Sequence, residues 1–334
     1  MRKRAALLLA ACMLLCGCRG GAQDEPAAFT VNGEAVSLRE WNFYVRMNQM
    51  QWEKEGLERY GDDMWSRVAD EEQGTTMADR LKEEVMDTVC RIHLANQHAE
   101  EYNVSLDDGK KQEIAERAES FMGAYHKALL DFAGADEEFV RERLSERELS
   151  LLVAQAAVAD YEPEISEEEA HREGICYVLI STTGTKDAEG NRTPFSEEEI
   201  EQRARLAEEV CAAARETGSL KEAAETAGLT PIEGSMGSSN EGDGHEPRML
   251  DAARLLEVGQ VSDPVWTEEG WFVVQHTSDY DEEGTAYWRE RLTELAREEE
   301  YERISREWRE TAEITENPEI MDQVDVKIVL KELL

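Results

Sequence analysis

The sequence predicts a multidomain chain of class α plus α+β, in which an all-helical module is interrupted by a smaller module of strands and helices. Three observations predict it. Residues 28–163 place apolar side chains at helical spacing behind a single hairpin signal. Residues 164–283 change to short strands that alternate with helices. Residues 284–334 open with one long amphipathic helix, and a chain of 334 residues has room for about two domains.

The N-terminus has the pattern of an export signal. It starts MRKR, and an apolar run of 11 residues follows, which suits a secretory signal and is too short to span a bilayer. The letters LCGC at residues 15–18 resemble the bacterial lipobox. This implies that residues 1–17 are removed and that Cys18 carries a lipid, although Cys12 at the end of LAAC and an ordinary cleaved signal remain alternatives. Residues 18–27 would then be a tether, and the protein would be extracytoplasmic and lipid-anchored to the bacterial cell membrane.

The composition is strongly acidic, with 75 Asp and Glu against 36 Lys and Arg and a formal net charge of −39. Such a surface repels phosphate backbones, so we expect no nucleic-acid partner, and it favours cationic or unfolded partners. Beyond the signal only Cys90, Cys176 and Cys211 remain, an odd and widely spaced set that is not typical of a disulfide framework. The six histidines have no paired ligand spacing, so the sequence predicts no metal site and implies no cofactor.

The helical module begins with a hairpin. In FTVNGEAV two extended runs are joined by Asn32 and Gly33, the strongest short hairpin signal. Ser37 and Glu40 have the spacing of a capping box and open the helix LREWNFYVRMNQMQWEKEG. A second long helix, MADRLKEEVMDTVCRIHLANQHAEEY, and two further helices follow. The tryptophans and methionines of the first helix are interpreted mainly as core, with a minority available to a binding groove.

The second module reads as a compact α+β domain. Its predicted elements are the strand ICYVLIS, the helix FSEEEIEQRARLAEEVCAAARETG, the helix SLKEAAETAG, a glycine-rich loop EGSMGSSNEGDGHEP, the helix RMLDAARLL and a closing strand WFVV. The C-terminal helix is then expected to pack back on the first module through Trp288, Leu292, Leu295, Tyr301, Ile304 and Trp308. VDVKIVL, residues 324–330, is predicted to be a strand on that module.

One acidic segment nearly fits a calcium loop. Residues 279–290 place Asp, Asp and Glu at positions one, three and five, Gly at six and Glu at twelve. A strand precedes the segment where a calcium loop needs a helix. The preferred interpretation is therefore a solvated acidic linker into the last helix.

Two stretches carry a family resemblance. VNGEAVSLREW opens the helical module, and DAARLLEVGQVSDPVWTEEGWFVV closes the second one. Together they resemble the PrsA-type and SurA-type extracytoplasmic foldases, over about residues 28–326. The matching residues of the closing stretch are Gly259, Ser262, Pro264, Val265, Gly270 and Trp271. The resemblance implies a SurA-N-like helical chaperone lobe, completed by the C-terminal helix, with an inserted parvulin-like domain at residues 164–283.

The resemblance also implies where catalysis would lie. Parvulins speed rotation about Xaa-Pro bonds, whose barrier is ~18–20 kcal/mol. Their polar cluster includes a histidine on the first strand, a cysteine or aspartate after the second helix, and a histidine on the last strand. The corresponding positions here are Tyr177, residues 227–230 and Phe272, and none supplies the family residue type. Whether the chain is an enzyme stays open.

The candidate site residues follow from the same family resemblance. Tyr177, Met236, Met249 and Phe272 are candidates for binding a substrate peptide, with plain core packing as the alternative for Tyr177 and Phe272. Tyr177, Thr230 and His245 are the candidates for a rebuilt catalytic cluster. Arg254 stands where the resemblance implies an apolar or aromatic residue.

Three functions are compatible with the sequence. The first is a lipid-anchored chaperone or foldase that binds unfolded or nascent secreted polypeptides, with a parvulin-like domain of weak or lost isomerase activity. The second is an active peptidyl-prolyl isomerase with a rebuilt polar site. The third is a structural envelope lipoprotein with one dedicated partner.

Overall fold

The computed structural model describes residues 26–186, 192–239, 244–327 and 329–330. The predicted signal peptide and both candidate lipidation sites, Cys12 and Cys18, lie outside these residues. The described chain divides into two compact units, one made of the residues up to 160 and those from 300 onward, the other of residues 161–299. None of its helices is both long enough and apolar enough to cross a membrane.

The first unit is helical, with small strands at its front. Its elements up to residue 160 are β1 (Ala27–Val31), β2 (Glu34–Ser37), α1 (Leu38–Tyr60), a 3₁₀ turn (Met64–Ser66), β3 (Val68–Asp70), β4 (Thr75–Thr76), α2 (Met77–Gln97), α3 (Asp108–Ala124), α4 (Lys127–Ala133) and α5 (Glu137–Ala157). The predicted hairpin joins β1 and β2, and φ is 52° at Asn32 and 82° at Gly33. Both values are positive, as a two-residue type I′ turn requires.

The start of α1 differs from the predicted capping box. The Ser37 hydroxyl accepts a hydrogen bond from the Glu40 amide at 3.1 Å, so half of the box forms. The Glu40 carboxylate, however, is directed at His93 and Arg143, and only 3% of Glu40 is exposed. Two cationic partners in the interior compete for this carboxylate with a single backbone amide at the helix end.

The second unit is built around one antiparallel sheet. Its elements are α6 (Glu167–Ala170), β5 (Glu173–Ser181), β6 (Thr185–Lys186), β7 (Arg192–Thr193), α7 (Glu197–Thr217), α8 (Leu220–Thr226), β8 (Ile232–Met236), α9 (Pro247–Ala253), β9 (Val265–Trp266) and β10 (Gly270–Ser278). The sheet order is β8-β5-β10-β9. β8 lies in the stretch that the sequence assigned partly to a glycine-rich loop. Its Glu and Gly have low strand propensity, and pairing with β5 decides its conformation.

The sheet of the second unit is covered differently on its two faces. Val178, Ile180 and Val273 face α7 and α8 and form one apolar core with them. The residues that alternate with these point the other way, toward α9. Gly270 begins β10 with φ of 144°, and a Cβ there would lie 2.3 Å from the carbonyl oxygen of Ile180. Only glycine fits at this position, which matches one glycine of the family pattern.

The C-terminal segment begins with one long helix. Its elements are α10 (Glu282–Thr311), β11 (Ile314–Glu316) and α11 (Pro318–Met321). At 30 residues α10 is about 45 Å long, and the boundary between the units falls within it, between residues 299 and 300. The sequence analysis placed the domain boundary at 283 and 284.

The two ends of α10 therefore pack differently. Trp308 joins the first unit, where it stacks on His98 with ring centroids 4.3 Å apart. Trp288 lies in the second unit, where the Arg172 guanidinium sits 3.9 Å above its ring. The expectation that Trp288 packs on the helical module is thus wrong, because the helix is longer than the core of one unit.

The prediction that VDVKIVL forms a strand is also wrong. The third strand of the front sheet is β11, which pairs with β1. The described residues from 324 onward are not strand, although Val324 and Val326 are buried in the core. Side chains of α1 satisfy their backbone instead. Arg46 donates to the Asp325 carbonyl at 2.8 Å and Gln49 donates to the Val326 carbonyl at 3.2 Å.

The segment with calcium-loop spacing contains a helix start. Because α10 begins at Glu282, positions four to twelve of the spacing are helical and do not form a loop around an ion. Asp281 instead accepts a hydrogen bond from the Gly284 amide at 3.0 Å at the start of that helix.

Candidate functional site

The register of the β5 and β10 pair brings the predicted residues to one face of the sheet. Tyr177 pairs with Val274, and Leu179 pairs with Phe272. Directly paired residues of antiparallel strands point to the same face, so Tyr177 and Phe272 share the face that α9 covers. Ile232 of β8 pairs with Tyr177 on its other side. The site is thus built on rigid strands at the centre of the second unit.

Three rings meet on this face. The Tyr177 ring lies 5.4 Å from the His245 ring in an edge arrangement, and 6.1 Å from the Phe272 ring. The Tyr177 hydroxyl is 3.5 Å from His245 Nδ1, a long contact for a hydrogen bond. Burial raises the pKa of Tyr177, so its hydroxyl stays protonated at neutral pH. His245 also packs over Gly234 of β8, where a Cβ would lie 3.4 Å from His245 Nε2.

The third catalytic candidate is not part of this group. Thr230 is exposed in the loop between α8 and β8, two residues before Ile232. The structure therefore brings together Tyr177 and His245, with Phe272 as their apolar neighbour, and leaves Thr230 apart.

The substrate-binding candidates differ in accessibility. Met249 is fully buried, Met236 is 1% exposed and Phe272 is 5% exposed, and all three belong to one core cluster with α9. Tyr177 is the one of the four that is only partly buried. Tyr177 is therefore the most accessible of the four side chains, and it packs against the cluster that contains the two methionines and Phe272.

Arg254 has a role that its position in the sequence did not reveal. It caps the end of α9 and donates hydrogen bonds from Nε to the Gly237 carbonyl at 2.8 Å and from Nη2 to the Ser239 carbonyl at 2.6 Å. Those carbonyls belong to the segment that leaves β8. A planar guanidinium can donate to two carbonyls at once, so Arg254 holds the segment after β8 against the end of α9.

A cavity of about 370 Å³ opens farther along the same strands. Its lining residues are Glu167, Glu168, His171, Glu173, Met236, Gly237 and Ser238. Glu173 pairs with Met236 in the sheet, four residues along β5 from Tyr177. Carboxylates on one wall and a thioether on the other favour a cationic group with an aliphatic stem over an anionic one.

One group of side chains in the first unit has the spacing of a metal site. One ligand atom from each of Glu40, His93 and Glu146 lies within 4.8 Å of the others. The Arg143 guanidinium contacts both carboxylates, with Nη2 2.8 Å from Glu146 Oε1. Arg143 therefore supplies the positive charge at this position, and the residues do not favour a metal ion there.

The arrangement in the second unit presents an aromatic surface with few polar groups. Tyr177, His245 and Phe272 give aromatic surface with one hydroxyl and one imidazole. Aromatic surfaces of this kind accept proline rings and extended peptides. Stabilising a twisted amide needs several preorganised polar groups, and the polar groups of these three side chains are the Tyr177 hydroxyl and the His245 imidazole.

No family model matches the chain, and no curated protein matches it. Solved structures similar to the chain include SurA-like chaperones and PrsA foldases.

Three of these structures illustrate the range. A foldase protein, PrsA, from Lactococcus lactis is 8% identical, with 92% of this chain and 99% of that chain covered and a TM-score of 0.40. A SurA-like chaperone of Campylobacter jejuni is 11% identical, with 87% and 98% covered and a TM-score of 0.32. A peptidylprolyl isomerase, PrsA, from Bacillus cereus is 19% identical, with 78% and 94% covered and a TM-score of 0.31. These low scores leave the function to be argued from the site itself.

Proposed function

We propose that this chain is an extracytoplasmic chaperone of the foldase type, which binds unfolded exported polypeptides and has weak or no prolyl isomerase activity. Its clients are nascent or unfolded secreted chains with apolar or proline-containing segments. The acidic surface keeps the complex soluble and attracts cationic clients.

One observation carries the proposal. Tyr177 is partly accessible and lies between His245 and Phe272, on the sheet face where the family resemblance places a proline pocket. An aromatic wall retains the grip on a proline ring, because that grip depends on ring contact and not on charge. Replacing the polar cluster removes the groups that would stabilise the twisted amide. The site therefore favours binding over turnover.

A second candidate function rests on a different contact. Tyr177 Oη lies 3.5 Å from His245 Nδ1, and a closer approach on peptide binding would create a polar pair beside the amide. This contact favours a working isomerase with a rebuilt site. Thr230, the third residue considered for that site, lies apart in an exposed loop.

Lipid attachment at Cys18 is part of the proposal. It is supported by the basic start, the short apolar run and the letters LCGC at residues 15–18. The mass of the mature N-terminal peptide from the membrane fraction tests it, and an unmodified Cys18 would contradict it.

The chaperone activity is tested by aggregation of several unrelated unfolded proteins in the presence of residues 19–334, which lack the lipid site. We expect suppression of aggregation for most clients at a few equivalents of the chain. An unrelated protein of similar net charge controls for charge alone. Suppression of none of them would contradict the proposal and favour a structural lipoprotein with one dedicated partner.

A further inference from the structure

Five ionisable side chains of the first unit form a buried ion cluster that neither the family resemblance nor the proposed function uses. They are the buried Glu40 and His93, the partly buried Arg143 and Glu146, and Glu34, whose side chain is about half exposed. They come from β2, α1, α2 and α5, so the cluster ties α5 to the front of the unit. Glu40 and His93 are 3% and 5% exposed, which is rare for charged groups unless they are paired.

The contacts fix the charge of the two cations. His93 Nε2 lies 3.0 Å from Glu40 Oε1, and His93 Nδ1 lies 3.5 Å from Glu34 Oε1. An ionised carboxylate can accept hydrogen bonds but cannot donate them. Both ring nitrogens of His93 therefore donate, and the imidazole is charged. Burial alone would lower the pKa of His93, but the hydrogen bonds to Glu34 and Glu40 raise it to about 10.

The α5 end of the cluster is only partly satisfied. Arg143 contacts Glu40 and Glu146 through its terminal nitrogens. Among the described residues, the buried atoms Arg143 Nε and Glu146 Oε2 have no hydrogen-bond partner. An unpaired buried carboxylate oxygen costs more when the group is ionised than when it carries a proton. Burial is the main cause that raises the pKa of Glu146, to about 7, and the nearby charge of Glu40 adds to it, against the opposing effect of Arg143.

We propose that the buried ion cluster is a pH-sensitive latch, which holds α5 against α1 and α2 at acidic pH and loosens it as the pH rises to neutral and beyond. Ionisation of Glu146 adds a third carboxylate to a site with two cations. The remaining titratable group that faces it, Tyr44 of α1, has its pKa raised by burial and by Glu40 and stays neutral. Glu142 and Arg147 of α5 lie at the margin, near Arg143 and Tyr44 respectively.

The direction follows from linkage. A group whose pKa is higher in the folded state than in the unfolded state stabilises the fold at low pH, and that contribution is lost as the pH rises through the folded value. For Glu146 the loss spans the range from its ordinary value to about 7, and for His93 a second loss follows toward about 10. Both losses have the same sign, so α5 is held most firmly in acid.

Hydrogen exchange of the full chain without its signal tests this latch. Exchange of α5 amides is compared with that of α7 amides, in the other unit, at pH 5.5 and 8.5 after correction for intrinsic rates. We expect protection of α5 to fall about tenfold more than that of α7, the equivalent of one pKa unit. Equal falls in both helices would overturn the proposal.

Two variants sharpen the result. Glu146→Gln keeps the shape but cannot ionise, so His93 should still contribute its share, while the part of the extra loss of α5 protection that Glu146 causes should disappear. Glu138→Gln changes the same charge at an exposed position of α5 and should keep it. A Glu146→Gln chain that retains the whole loss would overturn the latch, and the comparison of α5 with α7 in the unaltered chain decides the question if that variant fails to fold.

Discussion

At the scale of single residues, the proposed function makes Tyr177 the side chain on which client binding should depend most. Its ring is partly accessible and contacts both His245 and Phe272. We expect Tyr177→Ala to weaken binding of proline-containing peptides about fivefold, within the range for one aromatic contact. Tyr177→Phe keeps the ring and should bind within about twofold of the unaltered chain. Titration by tryptophan or peptide fluorescence measures both.

The paired variants separate two roles of Tyr177. Loss of binding in Tyr177→Phe as large as in Tyr177→Ala would mean that the hydroxyl, and not the ring, holds the peptide. That result would contradict the aromatic grip and favour the polar site with His245.

The sequence predicts some of these residues well and others poorly. Tyr177 and Phe272 were named from the family resemblance, and the register of β5 and β10 puts them on one face of the sheet. The burial of Met236 and Met249 could not be predicted, because it depends on how α9 packs on the sheet. The inward Glu40 carboxylate was read as part of a capping box, since its partners His93 and Arg143 are remote in the sequence.

At the scale of elements, the hairpin has the strongest local sequence signal and forms as predicted. Where the local signal is weak, contacts with neighbouring elements decide the secondary structure. The hairpin at Asn32 and Gly33 forms as its local backbone chemistry predicts, whereas only half of the capping box predicted at Ser37 forms. β8 has few strand-forming residues and exists because β5 offers it an edge. VDVKIVL has the alternating pattern of a strand. The carbonyls of Asp325 and Val326 instead accept hydrogen bonds from Arg46 and Gln49, so they do not need a paired strand.

The buried ion cluster also belongs to this scale. It connects four elements through charged groups that a hydrophobic pattern does not reveal. Helix periodicity marks apolar positions, and a charged residue at such a position reads as a solvent-facing one. Only the folded arrangement brings the cations and carboxylates within contact distance.

At the scale of the whole molecule, two units of different character are joined in one acidic chain. The order of parts and the two motif stretches predict a helical module interrupted by an α+β module over residues 164–283, and the described chain divides into two compact units with one boundary inside α10. In the proposed function, the helical unit and the aromatic sheet face of the second unit both bind an unfolded client. The net charge of −39 favours solubility and attracts cationic partners to the chain.

The central claim is that the second unit grips proline-containing segments without turning them over. It is tested most directly by NMR exchange spectroscopy of Xaa-Pro peptides with residues 19–334. The account predicts that peptide signals shift on binding while the cis/trans exchange rate stays within about twofold of the free peptide, whose barrier is ~18–20 kcal/mol. A clear acceleration that is lost in Tyr177→Phe or His245→Ala would contradict it and make this chain an isomerase with a rebuilt site.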